Sequence, residues 1–192
     1  MAANKTILTC LLWVACLLPV YTTPSDAGYL VRRKSSSYVG IRERNGNNGG
    51  FTSPSFEKKM KSVGWTKGAP WCAFFVKLVL KECSVTNNIT GWSPTSYNKA
   101  DVIFTGGVFK TRNYDDGDVL VMSLSYSKFK NSGRYKGIGH TGIVEKIGKN
   151  SCTTIEGNTN DAGARDSRGG KDGVYRKVRP LSKSIHITRW SK

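Results

Sequence analysis

The chain has 192 residues, of which 38% are apolar, and contains five Trp, eight Tyr and seven Phe. This length and composition exclude a disordered chain and favour one domain with a substantial core. Thirty Lys and Arg against thirteen Asp and Glu give a formal charge of +17. Such an excess favours a polyanionic partner, although charge alone does not distinguish nucleic acid, an anionic membrane, an anionic cell wall or a merely solubilising surface.

The N-terminal segment has the pattern of a secretory signal peptide. Lys5 supplies a positive start, an apolar run follows from Ile7 to Val20, and small residues predict cleavage after Ala27. We therefore expect residues 1–27 to direct export to the periplasm or the extracellular space, and residues 28–192 to form a single domain. No other segment approaches the roughly 20 apolar residues that a membrane-spanning helix needs.

Removal of this segment leaves three cysteines, namely Cys72, Cys83 and Cys152. An odd number in an exported protein predicts one disulfide and one thiol that is kept free for a reason. A lipid anchor at Cys16 is a second interpretation of the N-terminal segment, which the sequence leaves open.

Four helices are predicted in the first half of the domain. They are a short helix containing Tyr38, Ile41 and Glu43, one from Ser55 to Val63, one from Trp71 to Cys83, and a weak helix around Tyr97 to Phe104. The helix from Trp71 to Cys83 is apolar around most of its circumference, which predicts that it is buried in the middle of the domain.

Five strands are predicted in the second half. They are Asp118 to Ser123, Gly142 to Ile147, Thr153 to Ile155, Val174 to Val178 and Ile185 to Trp190. Helices followed by strands indicate an α+β domain with a helical layer on an antiparallel sheet. A basic loop from Ser125 to Lys136 precedes His140 and is long enough to overhang it.

Two residues in this pattern could carry nucleophilic chemistry. Cys72 begins the buried helix, where free amides and the positive end of the helix dipole stabilise a thiolate. His140 lies between glycines at the expected start of a strand and can act as its general base. The second histidine, His186, alternates with two isoleucines in the last strand, so we expect it to face outward.

Two further polar residues follow at the end of the next strand. Adjacent antiparallel strands would bring Glu156 and Asn158 beside His140, and both should point to one face because they are two residues apart. Either side chain can accept a hydrogen bond from the imidazole and so orient it.

Three fragments together resemble the CHAP family, the cysteine, histidine-dependent amidohydrolases/peptidases of the NlpC/P60 superfamily. They are Trp71-Cys72-Ala73-Phe74-Phe75-Val76, Gly139-His140-Thr141-Gly142-Ile143-Val144 and Glu156-Gly157-Asn158-Thr159-Asn160. Val39-Gly40-Ile41-Arg42-Glu43 and Gly117-Asp118-Val119 also look like this family, so the likeness covers nearly the whole domain.

The resemblance implies a papain-like fold and hydrolysis of amide bonds in bacterial peptidoglycan, as an N-acetylmuramoyl-L-alanine amidase or a peptide endopeptidase. By position it makes Cys72 the nucleophile, His140 the base, Glu156 the orienting acid and Asn158 an assisting residue. Trp71 and Tyr135, which flank these positions, are the expected substrate contacts. Some phage members bind calcium through acidic residues before the cysteine, but residues 58–70 contain none, so we expect no metal and no cofactor.

A Cys83–Cys152 disulfide follows as a geometric hypothesis. Eleven helical residues place Cys83 about 16 Å from Cys72, and four strand residues place Cys152 about 13 Å from Glu156. If helix and strand leave one site together, the two cysteines could meet.

Alternatives to the peptidoglycan hydrolase remain. One is an enzyme of the same fold that acts on another amide substrate, such as a protease or a toxin directed against competitors. The other is a basic wall-binding protein without activity, whereas specific nucleic-acid binding has no motif beyond charge. We expect a monomer that acts on peptidoglycan and is attracted to anionic cell-wall polymers.

Overall fold

The computed structural model describes residues 24–160 and 172–190 as three helices and seven strands. The helices are α1 (Pro24–Ser36), α2 (Pro54–Lys61) and α3 (Cys72–Glu82). The strands are β1 (Val102–Thr105), β2 (Val108–Phe109), β3 (Leu120–Ser125), β4 (Ile138–Ile147), β5 (Ser151–Thr159), β6 (Gly173–Pro180) and β7 (Ile185–Arg189). Single turns of 3₁₀ helix cover Ser93–Ser96, Ser127–Phe129 and Tyr135–Gly137.

All seven strands form one antiparallel sheet in the order β2-β1-β7-β3-β4-β5-β6. Helix α3 lies against β4 and β5, and α1 and α2 pack beside it. The α+β class predicted from the sequence is therefore confirmed, and the five predicted strands correspond to β3 to β7. The C-terminal strand β7 lies between β1 and β3, in the interior of the sheet.

The sheet separates two hydrophobic clusters. Val119 and Val121 belong to the cluster under the helices, whereas Leu120 and Met122 belong to the cluster on the other side. This division follows from the alternation of side chains along a strand. The cluster under the helices is rich in aromatic rings, and Phe51 stands at its centre, with ring centroids 4.8–4.9 Å from those of Phe56, Trp65 and Trp71.

Helices α2 and α3, both predicted from the sequence, begin in different ways. Ser53 caps α2 by accepting a hydrogen bond from the Phe56 amide at 3.3 Å, and Pro54 occupies the first helical position. Helix α3 has no side-chain cap from Trp71, its N-cap residue. Seven of the eleven residues of α3 are buried, as its apolar circumference predicts.

Two predicted helices are wrong. The segment with Tyr38 and Glu43 follows α1 as turns and isolated bridges, because its backbone pairs with Phe51 and Gly173 rather than with itself. The segment from Tyr97 to Phe104 leads into β1 instead, since its β-branched end pairs with β7 and extends the sheet.

The predicted signal segment lies largely outside the described residues, which begin at 24. Helix α1 spans the predicted cleavage position, Ala27 packs against the core, and the Gly28 amide donates to the Gly117 carbonyl at 2.9 Å. Export therefore stays a prediction, as does the lipid anchor at Cys16. Within the described ranges, no helix is both long enough and apolar enough to cross a membrane.

A substitution at Gly157 tests how closely α3 packs on the sheet. A Cβ at this position would lie 2.4 Å from Trp71 Cζ3 and 2.8 Å from Phe75 Cβ. We expect Gly157→Ala to lower the free energy of unfolding by about 1–3 kcal/mol, because it overpacks a tight contact. Urea unfolding followed by tryptophan fluorescence measures this, and an unchanged midpoint would contradict the packing described here.

Candidate active site

Cys72 is the first residue of α3 and is nearly buried. The amides of a first helical turn have no acceptor within the helix, so they and the helix dipole favour negative charge at this position. Asn158 of β5 takes up the preceding amide, because its Oδ1 accepts from the Trp71 N–H at 3.1 Å. The nucleophile candidate is therefore placed by a strand as well as by its own helix.

His140 lies near the start of β4 and joins Cys72 to Glu156. Its Nε2 is 2.8 Å from Glu156 Oε2, and its side chain also forms a hydrogen bond with Cys72. Because Nε2 faces the carboxylate, Nδ1 is the ring nitrogen left for the thiol. The β4–β5 register pairs Ile143 with Ile155, which brings the two strands together as the sequence predicted.

Gly142 makes room for the carboxylate between these strands. A Cβ on this residue would lie 2.6 Å from Glu156 Cγ and 2.9 Å from the Ile155 carbonyl. The missing side chain therefore allows Glu156 to cross over β4 and reach His140. A glycine beside His140 was visible in the sequence, but its role depends on the strand opposite.

Glu156 is fully buried and accepts hydrogen bonds from three side chains. Arg179 of β6 donates through Nε to Oε1 at 2.8 Å and through Nη2 to Oε2 at 2.5 Å. Thr154 donates to Oε1 at 2.6 Å, and His140 supplies the remaining contact. This two-pronged arginine contact fixes the plane of the carboxylate and its charge.

These contacts set the charges of the site. Burial alone would raise the pKa of Glu156, but Arg179 and His140 hold it well below its usual range. Burial alone would lower the pKa of His140, but Cys72 and Glu156 raise it to about 9. The arrangement therefore favours an imidazolium at neutral pH, which stabilises a thiolate at Cys72.

Asn158 was expected to assist His140, and the structure corrects this. Its backbone has a φ of +57°, and the β5–β6 register shifts between Glu156 and Thr159, so strict alternation breaks here. The Asn158 amide nitrogen donates to Glu43 Oε1 at 3.3 Å and to Asn48 Oδ1 at 3.0 Å. Asn158 therefore anchors the start of α3.

Glu43 completes this anchor. Its Oε1 accepts from the Trp71 indole N–H at 2.5 Å, and its Oε2 accepts from the Asn48 amide at 3.0 Å. Trp71 itself is fully buried, so the structure corrects its assignment as a substrate contact. Its indole is one of the groups that fixes the position of Cys72.

The remaining predicted residues lie elsewhere. Tyr135 is 38% exposed and lines a cavity with Tyr97 and Trp92, so it can meet a ligand. His186 is only 4% exposed, which contradicts its expected outward position. The 3₁₀ turn at Ser93–Ser96 and Tyr97 cover this side of β7, where the Tyr97 ring lies 5.7 Å from that of His186.

The predicted disulfide is absent, since neither Cys83 nor Cys152 is bonded to another cysteine. Cys83 packs against the cluster under the helices, whereas Cys152 belongs to the cluster across the sheet. The hypothesis was wrong because it assumed that helix and strand end on the same side. Burial raises the pKa of Cys152 to about 12 and also raises that of Cys83, so neither thiol is activated.

Sequence reasoning gave no role to Glu43 and did not find Arg179. Glu43 lies in a segment that resembled the family, and that was its only signal. Arg179 reaches Glu156 through the β5–β6 pairing, in which Cys152 faces Arg179. No local sequence pattern predicts that register. Within the described ranges, no cluster of three or more His, Cys, Asp or Glu could hold a metal ion.

Glu156 should control the titration of His140. We expect Glu156→Gln to lower the pKa of His140 from about 9 by about 1–3 units, because the imidazolium loses its partner charge. Histidine ring NMR measures this shift. His186 serves as an internal control, because burial and then the charge of Lys136 lower its pKa to about 4 independently of Glu156.

Stability should follow the same titration. Because the pKa of folded His140 lies above the ordinary value of 6.5, its contribution is complete below pH 6.5 and is lost as pH rises through about 9. If Glu156→Gln fails to fold because Arg179 is left unpaired, the double variant with Arg179→Leu removes both charges. An unaltered His140 titration in either variant would contradict this account.

The anchor at Glu43 predicts a second effect. In Glu43→Gln, Oε1 can still accept from Trp71, but an NH₂ group would replace the acceptor that the Asn48 amide uses. We expect the free energy of unfolding to fall by about 1–3 kcal/mol, the cost of an unsatisfied buried donor. Glu145→Gln, at a carboxylate paired with exposed Arg176, is the control and should change little. If denaturant unfolding shows the same loss of free energy in Glu43→Gln and Glu145→Gln, Glu43 is an ordinary surface carboxylate.

Comparison with known proteins agrees with this geometry. Residues 64–158 match the model of the CHAP domain, a segment that begins before α3 and ends at Asn158. No curated protein and no solved structure matches the chain. The matched segment contains Cys72, His140 and Glu156, with α3 packed on an antiparallel sheet as in the papain-like fold. Over residues 64–158, the chain belongs to the CHAP domain family.

Proposed function

We propose that this protein is an exported cysteine hydrolase that cleaves amide bonds in bacterial peptidoglycan through an acyl-enzyme. The observation that carries the proposal is the hydrogen-bonded series from Cys72 through His140 to Glu156, built at the start of a buried helix. A buried thiol without such a partner, like Cys152, would have no means of activation.

In the first half of the reaction, the proton of the Cys72 thiol passes to His140 Nδ1. The thiolate attacks the carbonyl carbon of the scissile amide, and the carbonyl oxygen becomes an oxyanion. Amides of the first turn of α3 stabilise that charge; they begin at Cys72, because Asn158 occupies the Trp71 amide. The imidazolium then protonates the leaving amine, the C–N bond breaks, and a thioester remains.

In the second half, neutral His140 accepts a proton from water, and the resulting hydroxide attacks the thioester. The C–S bond breaks, the carboxylic acid leaves, and Cys72 returns as a thiolate beside the imidazolium. Glu156 stabilises the imidazolium in both halves, and Arg179 prevents that carboxylate from taking the proton itself. Glu156 and Arg179 are therefore positioning residues that act through His140.

The choice of peptidoglycan rests on the family and on charge. A CHAP domain implies a cell-wall substrate, and the formal charge of +17 would attract the protein to anionic wall polymers. Export through residues 1–27 would bring the enzyme to that substrate, and N-terminal sequencing of the exported protein should then begin at Gly28.

The test is digestion of purified peptidoglycan, followed by mass spectrometry of the fragments. We expect Cys72→Ala to reduce product formation at least about 10³-fold while the protein stays folded. Cys83→Ala is the control, because this thiol is remote from His140 and should be dispensable for the reaction.

The new amino termini identify the bond. Release of an N-terminal alanine from the glycan indicates an amidase, and a new terminus within the peptide indicates an endopeptidase. Retained activity in Cys72→Ala would exclude the mechanism. A folded but inactive parent protein would favour a wall-binding protein or an enzyme for another amide substrate.

A further inference from the structure

A basic cavity lies at the end of the sheet that also carries the candidate active site. Its volume is about 640 Å³, and no acidic residue lines it. Lys130 and Lys136 come from the loop between β3 and β4, and Lys183 comes from the turn before β7. Ser127, Ser184 and His186 add polar groups to the same wall.

The three lysines are available to a ligand. Their side chains are exposed, and among residues 24–160 and 172–190 none of them pairs with a carboxylate. Lys136 Nζ also lies 5.7 Å from the ring centroids of Tyr97 and Tyr135, a contact that attracts an exposed ammonium only weakly. Three ammonium groups around one concave surface produce a positive potential that nothing in the described structure neutralises. Lys136 also contributes to the lowering of the pKa of buried His186, which is a local effect of that potential.

A chain of hydrogen bonds holds Lys136 in place. The Ser125 hydroxyl donates to the Lys136 carbonyl at 2.5 Å, so Ser125 Oγ must accept from His186 Nε2 at 2.8 Å. Burial and the charge of Lys136 lower the pKa of His186 to about 4, so the ring is neutral and its Nδ1 accepts from the Thr105 hydroxyl at 2.7 Å. The orientation of His186 is therefore fixed from both ring nitrogens.

The backbone of Lys136 has a conformation that is unusual for a residue with a side chain. Its φ of +53° lies in the left-handed region, which costs a residue with a side chain about 1 kcal/mol or more. The Ser125 hydroxyl, which donates to the Lys136 carbonyl, helps to hold this backbone conformation at the edge of the cavity. The site is thus built by specific contacts and is more than a cluster of surface charges.

The cavity and the candidate active site lie at neighbouring positions along this end of the sheet. Leu124 of β3 pairs with His140 of β4 and with Ile185 of β7, the residue before His186. Two strand spacings therefore separate the backbones of His140 and Ile185, a distance of about 10 Å. An extended peptide covers this distance with about three residues.

We propose that this cavity is a subsite for an anionic oxygen group, a carboxylate or a phosphate, which the substrate carries about three residues from the scissile amide. The inference rests on the proposed function and adds a specificity determinant to it. Peptide stems of peptidoglycan offer carboxylates, and polymers attached to the wall offer phosphodiesters. Ammonium and hydroxyl donors fit either group, and both sources present the same charged oxygens.

The test compares one variant with a control of equal charge. Lys130→Gln, Lys136→Gln and Lys183→Gln together change the cavity. Lys58→Gln, Lys146→Gln and Lys149→Gln remove three charges on α2 and at the opposite end of the sheet. Unfolding midpoints confirm that both triple variants are folded.

Three substrates identify the anion: peptidoglycan with its phosphate polymers, the same material after hydrofluoric acid removes them, and the acid-treated material after its carboxylates are amidated. For each protein, kcat/KM is measured on all three substrates and divided by its value on the amidated material. We expect the cavity variant to lower this ratio about tenfold, the product of three modest ionic contacts. The control variant should keep the ratio of the parent.

The step at which the ratio changes distinguishes the sources. If the parent and the cavity variant no longer differ in kcat/KM once the phosphate polymers are removed, the cavity binds phosphodiesters. If they cease to differ only after amidation, the cavity binds stem carboxylates. Equal ratios for the parent and the cavity variant, or equal reductions in both triple variants, would overturn the subsite. Inactivity of the parent on every substrate would instead contradict the proposed function.

Discussion

The candidate site depends on one buried carboxylate. Glu156 has no exposure to water, and a lone charge in such a place would be neutralised by protonation. Arg179 prevents this with two hydrogen bonds, so the carboxylate keeps its charge and can hold His140 as an imidazolium. The ion pair joins β5 to β6, and the histidine contact joins β5 to β4. The strands that shape the sheet are therefore also the ones that set the proton affinity of His140.

The candidate nucleophile is positioned by a second buried cluster. Glu43 and Asn158 hold Trp71 by its indole and by its backbone amide, and Cys72 is the next residue. A helix start without a side-chain cap is thereby satisfied from a strand and from the segment after α1. No side-chain cap from Trp71 competes for the next amides of the turn, which the proposed reaction uses.

The charges of the surface and of the interior act at different ranges. The formal charge of +17 produces a long-range attraction to anionic polymers, which salt weakens. The lysines of the cavity concentrate part of that charge at the end of the sheet that carries the candidate active site. Inside the site, Glu156 and Arg179 are shielded from water and form a contact that depends on geometry rather than on net charge.

Sequence alone was enough for the α+β class, for helix α3, for five strands and for the pairing of Cys72 with His140, because hydrophobic periodicity, glycine positions and a helix start are local properties. It was not enough for Arg179, for the redirected Asn158, for buried His186 or for the separation of Cys83 from Cys152. Those depend on the strand order and on a break in alternation at Asn158, which place residues far apart in the chain next to one another. Such placements are decided by the register and packing of the whole sheet, and only the tertiary structure contains them.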